Sequence, residues 1–147
     1  ASNGYLLFEK TKRLKEEFKK LSGPEIARLK NVRDDLFHEF DLPLVTFSGD
    51  TRIEFVAENP LVQQSKILFL ECTYIDDKRP VERARQWGHT HLLEIAAHAE
   101  AFRSVEQLFL IHFSPRYRPS DVRAAVRNLL PDWLSARTVP VLPPRME

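Results

Sequence analysis

The chain has 147 residues, 43% hydrophobic and 29% charged, a composition that suits one compact soluble domain spanning residues 1–147 and leaves too little chain for two. A net charge of +1 excludes binding to nucleic acid through bulk electrostatics, so any such contact must use local patches. The single cysteine, Cys72, excludes an intrachain disulfide and a multi-thiolate zinc site; no apolar run is long enough for a membrane span, and the start ASNGYLLFEK carries no mark of a secretory signal, so a cytoplasmic setting, or an organellar stroma or matrix, is expected.

Tyr5 to Phe8 suit a short strand. The following EKTKRLKEEFKKLSG carries six basic and three acidic residues with Leu14, Phe18 and Leu21 at helical spacing, which predicts a solvated amphipathic helix stopped by Ser22, Gly23 and Pro24. Pro24 opens a second short helix, PEIARLKN, because proline is tolerated in a first turn. Leu44 to Phe47 then read as a strand entering a Ser-Gly-Asp turn, and a helical segment around IEFVAENPLVQQ follows. KILFLECTY is continuously apolar through Leu70, the pattern of a strand buried on both faces. Leu92, Leu93, Ile95, Ala96 and Ala99 mark a helix over 90–101, with Thr90 as its cap and His89 just ahead. QLFLIHF predicts another buried strand, SDVRAAVRNLLPDWL a helix capped by Ser120 and ended near Pro131, and RTVPVLPP an edge strand before a disordered end. There is no internal repeat.

Strands alternating with helices imply an α/β architecture with helices covering a sheet. Three of the apolar strands lead into a polar residue of chemical interest: Asp50 after LVTFSG, Glu71 after ILFL and His112 after LFLI. Ligand crevices of open α/β sheets lie beyond the carboxyl ends of strands, so these three residues can converge, and His89 at a helix start is the natural fourth. The remaining histidines read differently. His91 and His98 are bystanders on a helix, since His89 and His91 point apart if that helix begins at Thr90, and His38 lies on the surface among acidic residues. Cys72 reads as a small buried apolar residue. Arg123 and Arg127, one helical turn apart, either extend a phosphate track or pair with acids, and the basic stretch 10–20 is a solvated face with RNA contact as the alternative.

FSGDT (47–51), LEC (70–72), GHT (88–90) and HFSPRY (112–117), in this order, resemble the metallo-β-lactamase superfamily and within it ribonuclease Z, the tRNA 3′-processing endonuclease. The resemblance implies an αββα sandwich and a zinc-dependent phosphodiesterase acting on precursor tRNA, with two zinc ions in the complete site. It implies Asp50 as the aspartate shared by two metals, His112 as a terminal metal ligand, Glu71 and His89 as a proton-transfer pair, and Arg116 and Tyr117 as contacts to substrate phosphate. Chemistry agrees: a carboxylate can span two metals, a neutral imidazole is a common zinc ligand, and arginine binds phosphate bidentately.

Two departures qualify the match. Leu70 stands where the family has a histidine before the glutamate, and no His-x-His-x-Asp-His motif occurs anywhere in the 147 residues. That motif supplies most of the superfamily's metal ligands and lies upstream of the segment matched here. The chain therefore reads as mainly the carboxy-terminal half of the fold, to be completed by an upstream half, with homodimerisation open and no membrane partner. The alternatives are another hydrolase of a phosphodiester or ester on the same fold, or a non-catalytic structural or RNA-binding half-domain.

Overall fold

The computed structural model describes residues 2–142. Five strands, β1 (Tyr5–Leu14), β2 (Phe37–Phe47), β3 (Ile67–Glu71), β4 (Gln107–Ile111) and β5 (Thr138–Pro140), form one sheet in the order β1-β2-β3-β4-β5, and β2 through β5 pair in parallel. Seven short helices lie among the described residues: α1 (Gly23–Lys30), α2 (Glu54–Ala57), α3 (Pro60–Gln63), α4 (Val81–Gln86), α5 (Leu92–Ala97), α6 (Pro119–Leu129) and α7 (Asp132–Ser135). None of the described helices is long and apolar enough to cross a membrane. The chain divides into two compact units, residues 8–42 and residues 1–7 with 43–147.

Within residues 8–42 the basic stretch is not the predicted helix. It continues β1 to Leu14 and ends in a 3-10 turn, Glu16–Phe18. Strand pairing puts its charges to use across the ladder: Lys12 meets Glu39 at 2.7 Å, Lys10 meets Asp41 at 3.9 Å, and the Arg13 guanidinium lies over the Phe40 ring. Cross-strand partners of this kind override a helical spacing that rests on three apolar residues. Phe18 and Leu36 form the small buried centre. Helix α1 forms as expected, with Pro24 in its first turn and a reciprocal cap between Ser22 and Glu25.

In the unit of residues 1–7 and 43–147, register explains the packing. The cross-strand row Thr46, Leu68, Leu108, Thr138 is buried beneath helices, as are Leu70 and Leu110, which pack with Ile95, Val122, Val126 and Leu134. The neighbouring row is Phe47, Phe69, Phe109, Val139, and it faces the other way. Phe69 and Phe109 stack with centroids 4.7 Å apart, Phe47 follows at 6.1 Å, and Phe47 and Val139 at the ends are each 42% exposed. The expectation that β3 is buried on both faces is thus corrected: one face is covered and the aromatic face is open.

Several boundaries move for identifiable reasons. The segment 53–64 splits into α2 and α3 because the Asn59 side chain accepts the N–H groups of Leu61 and Val62 and Pro60 restarts the helix. Helix α5 starts at Leu92 and is capped by His91 rather than Thr90, then gives way at His98 to a 3-10 turn, Ala99–Phe102. Helix α6 starts at Pro119 after Arg118; Ser120 bonds Asp121 and caps nothing. Helices α4 and α7 were not anticipated. The edge strand β5 is present, and the end predicted to be disordered, residues 143–147, lies outside the described residues.

Leu110→Ala should lower unfolding free energy by about 2–5 kcal/mol, the usual cost of a cavity in a packed core. Phe109→Ala, one residue away on the open face, should lose only about 1 kcal/mol, the scale of its aromatic pair. Urea denaturation of both variants checks the contrast, and equal losses would mean that the aromatic face is as closely packed as the core.

Candidate functional site

Because β2, β3 and β4 are parallel neighbours, their carboxyl ends open on the same edge of the sheet. Asp50 follows β2, Glu71 is the last residue of β3 and His112 is the first residue beyond β4. His89 arrives from the turn between α4 and α5. One ligand atom from each of Asp50, His89 and His112 lies within 4.8 Å of the others, so the convergence expected from the sequence is present. His112 Nε2 is 3.6 Å from Asp50 Oδ1, and the two imidazole rings stack with centroids 5.4 Å apart.

Left-handed backbone delivers each of these side chains. Gly49 precedes Asp50 with φ of 61°, and a Cβ there would meet the Asn3 carbonyl oxygen at 2.7 Å. Gly88 precedes His89 with φ of 79°. His112 itself holds φ of 61°, a conformation disfavoured for a side chain of its size by about 1–3 kcal/mol. Strain of this kind is retained where surrounding contacts over-determine it.

Those contacts centre on Glu71, which is fully buried. Its carboxylate accepts the backbone N–H groups of Thr51 (3.3 Å), Thr73 (2.9 Å) and Thr90 (2.8 Å), together with the Thr73 hydroxyl (2.9 Å). Its Oε1 also lies 3.1 Å from His89 Nδ1. Burial pushes the carboxyl above its usual range, and the Thr90 N–H, the Thr73 hydroxyl and His89 oppose that shift. The Thr90 hydroxyl donates to the Thr51 carbonyl, which explains why Thr90 does not cap α5. Arg85 on α4 bonds Glu54 on α2 and Glu94 on α5, the latter at 2.6 Å, and so ties together the segments that follow Asp50 and flank His89.

Thr73 was missed by sequence reasoning. Its hydroxyl lies 3.1 Å from His89 Nδ1 and 3.0 Å from His112 Nδ1 as well as touching Glu71. The available signal was parity: two residues beyond Glu71 in extended chain, Thr73 shares its side of the backbone.

Arg116 and Tyr117 sit beside this cluster. Both line a cavity of about 300 Å³ with Asp76, Lys78, Arg79, Ser114 and Asp121. The Tyr117 hydroxyl is already engaged, donating to Asp76 Oδ1 at 3.1 Å and accepting the Ile75 N–H at 3.4 Å. Burial above all, with Asp76 adjacent, raises the phenol to about 12. Tyr117 therefore fastens the 75–76 loop, while the exposed Arg116 faces the cavity.

The other candidates separate as follows. His91 is buried as a helix cap, with Nδ1 accepting the Leu93 N–H (3.0 Å) and Nε2 3.2 Å from the Asp76 carbonyl. His98 bonds the Glu94 carbonyl, and His38 is exposed on β2. Cys72 is buried, and burial pushes its thiol well up, as for an inert core residue. Arg123 and Arg127 line a cavity of about 390 Å³ with Ser120 and Ser135, and neither forms an ion pair among the described residues.

No family model matches the chain. Among curated proteins it is 39% identical to tRNase Z TRZ1 of Arabidopsis thaliana over 88% of this chain and 47% of that protein. It is 31% identical to the chloroplastic tRNase Z TRZ2 of the same plant, over 95% of this chain and 40% of the relative. The chain is tRNase Z-like over most of its own length. It spans less than half the length of the curated relatives it matches. Solved structures similar to the tRNase Z-like chain include the metallo-beta-lactamase fold protein YhfI of Bacillus subtilis (TM-score 0.48, 18% identity, 72% of this chain and 40% of that one). Human tRNase Z, short form, is another (TM-score 0.39, 25% identity, 54% and 30%).

Glu71→Ala should leave the buried Thr90 N–H and the partly buried Thr51 N–H without their acceptor, Thr73 keeping its bond to the Thr90 carbonyl, and lower unfolding free energy by about 2 kcal/mol or more, at about 1–3 kcal/mol per orphaned group. Asp50→Ala, on an exposed side chain, should change it by about 0.5 kcal/mol or less. Chemical denaturation checks the pair, and a mild Glu71→Ala would mean that the three loops are held by other contacts.

Proposed function

We propose that this chain is the carboxy-terminal half of a zinc-dependent phosphodiesterase that cleaves precursor tRNA endonucleolytically at its 3′ side. The observation that carries the reading is the meeting of Asp50, His89 and His112 over the buried Glu71. A carboxylate and an imidazole, here Asp50 and His112, are donors that zinc accepts, with His89 beside them to move a proton, and no second group of three such residues occurs among the described residues. Two zinc ions need more donors than these, and the chain lacks the His-x-His-x-Asp-His segment, so the rest of the site belongs to an upstream half. The open row Phe47, Phe69, Phe109, Val139 supports the same conclusion, because the second sheet of an αββα sandwich would cover it.

In this reading Asp50 and His112 hold metal, which when bound supplies Lewis acidity at the phosphorus. Glu71 fixes the His89 ring through Nδ1. As a water oxygen bonds to phosphorus and gives up a proton to solvent, the bond from phosphorus to the ribose 3′ oxygen breaks; its electron pair stays on that oxygen, which takes a proton from the imidazolium form of His89, left neutral with its Nδ1–H on Glu71. Arg116 holds a neighbouring phosphate, and Tyr117 shapes the loop beside it. The partners are precursor tRNA and the upstream half, with homodimerisation a further arrangement to test. The site of action is the cytoplasm or, as for the chloroplastic relative, an organelle.

In the protein completed by its upstream half, metal analysis should find about two zinc ions per site. Asp50→Ala and His112→Ala should each lower that content, while His89→Ala should keep it and lower kcat by about 10²–10⁴. Zinc lost from His89→Ala but kept in Asp50→Ala would reverse the assignments. Failure of the completed wild-type protein to cut precursor tRNA while cutting a simple phosphodiester or ester would favour another hydrolase on this fold. Absence of both metal and activity would favour a structural or RNA-binding half.

Arg116→Ala should weaken precursor tRNA binding and reduce the slope of log affinity against log salt by about 1, while cleavage of bis-p-nitrophenyl phosphate persists. Binding and rate measurements on both substrates decide, since equal losses would place Arg116 in the scaffold of the site.

A further inference from the structure

We propose that Thr73 is a positioning residue that sets the tautomer of His112 and so decides which ring nitrogen faces Asp50. A hydroxyl has one proton and two lone pairs. Glu71 already receives the N–H groups of Thr51, Thr73 and Thr90 and acts as an acceptor at both oxygens, so the Thr73 proton is directed to Glu71 Oε2 at 2.9 Å. The remaining contacts of the Thr73 oxygen, to His112 Nδ1 at 3.0 Å and His89 Nδ1 at 3.1 Å, then require the rings to donate.

A neutral imidazole has one N–H. With that proton on Nδ1, the His112 lone pair is on Nε2, the atom 3.6 Å from Asp50 Oδ1. A metal takes a histidine only through the unprotonated nitrogen, and the hydrogen bond at the other nitrogen fixes both tautomer and ring orientation. His89 has a second acceptor for Nδ1–H in Glu71 Oε1, so its tautomer does not depend on Thr73. His112 has no other hydrogen-bond partner among the described residues, Asp50 Oδ1 lying at 3.6 Å from Nε2, so the bond to Thr73 is the one that selects its tautomer. His91 provides an internal contrast: its Nδ1 accepts the Leu93 N–H, which places its proton on Nε2, toward the Asp76 carbonyl.

The metal-holding consequence rests on the proposed role of Asp50 and His112, whereas the tautomer assignment stands on the hydrogen bonds. The test is long-range ¹H–¹⁵N correlation spectroscopy of the ¹⁵N-labelled, metal-free chain at pH about 8.5, above the ordinary imidazole pKa of about 6.5. Wild type should show His89 and His112 protonated on Nδ1 and His91 on Nε2. In Thr73→Val, His112 should relax to a mixture of tautomers while His89 and His91 keep theirs, and Thr73→Ser should restore His112. An Nε2-protonated His112 in wild type, or an unchanged Nδ1-protonated His112 in Thr73→Val, overturns the proposal. If Thr73→Val does not fold, wild type and Thr73→Ser still decide, because an Nε2-protonated His112 in either is enough to reject it. Zinc titration of the same proteins separates the two readings: Thr73→Val should weaken binding about tenfold or more. Zinc affinity that is unaffected by His112→Ala, with the tautomers as stated, overturns the metal-holding role and supports the lock as a property of the apo-protein alone.

Discussion

A single buried carboxylate organises the site. Glu71 ends the central strand β3 and gathers backbone N–H groups from the turn after Gly49, from its own strand end and from the turn after Gly88. The Thr90 N–H would otherwise be buried without a partner, and such an orphan costs more than an ordinary hydrogen bond contributes. The same carboxylate holds the His89 ring and takes the Thr73 proton. Structure and chemistry are therefore not separable at this residue. The group that orients the imidazole also keeps the three loops together.

The side chains of the candidate site stand on backbone that the rest of the molecule must hold in place. Gly49 and Gly88 permit left-handed turns at little cost, whereas His112 adopts one against its steric preference. Parallel register brings the ends of β2, β3 and β4 to one edge, and the Arg85 bridge to Glu54 and Glu94 fastens the helices behind the loops. Rigid strands set the positions coarsely, and the hydrogen bonds at Glu71 and Thr73 set them finely. Placement to that tolerance is what a metal or proton-transfer site needs.

The sheet carries two kinds of row. Thr46, Leu68, Leu108 and Thr138 lie under helices, while Phe47, Phe69, Phe109 and Val139 form an aromatic and aliphatic strip on the opposite face. A strand as continuously apolar as ILFL is the composition of a two-sided core, yet the described residues cover one side of it. The mismatch between strand composition and cover agrees with the span of less than half of the curated tRNase Z relatives.

Alternating strands and helices, the strand-end positions of Asp50, Glu71 and His112, and the glycines before Asp50 and His89 were all legible in the sequence. They are local: periodicity marks an element, and a polar residue at the end of an apolar run marks where that element meets solvent or ligand. The basic stretch after Tyr5 misled because its helical spacing and its strand pairing are both compatible with the residues, and Glu39 and Asp41, which decide between them, lie more than twenty-five positions away. Thr90 and Ser120 resembled caps, but capping depends on what else a hydroxyl can reach; Thr90 reaches Thr51 and Ser120 reaches Asp121. Thr73 sits where the family's His-Glu-Ala-Thr segment also has a threonine, but its role became visible only where β3, β4 and the His89 turn bring Glu71 and two imidazoles around one oxygen. The sequence by itself thus determined the inventory of chemical groups and the order in which they meet the sheet edge. Only the tertiary structure decided which hydrogen bonds they make, because a donor commits its proton to whichever acceptor the fold brings within reach.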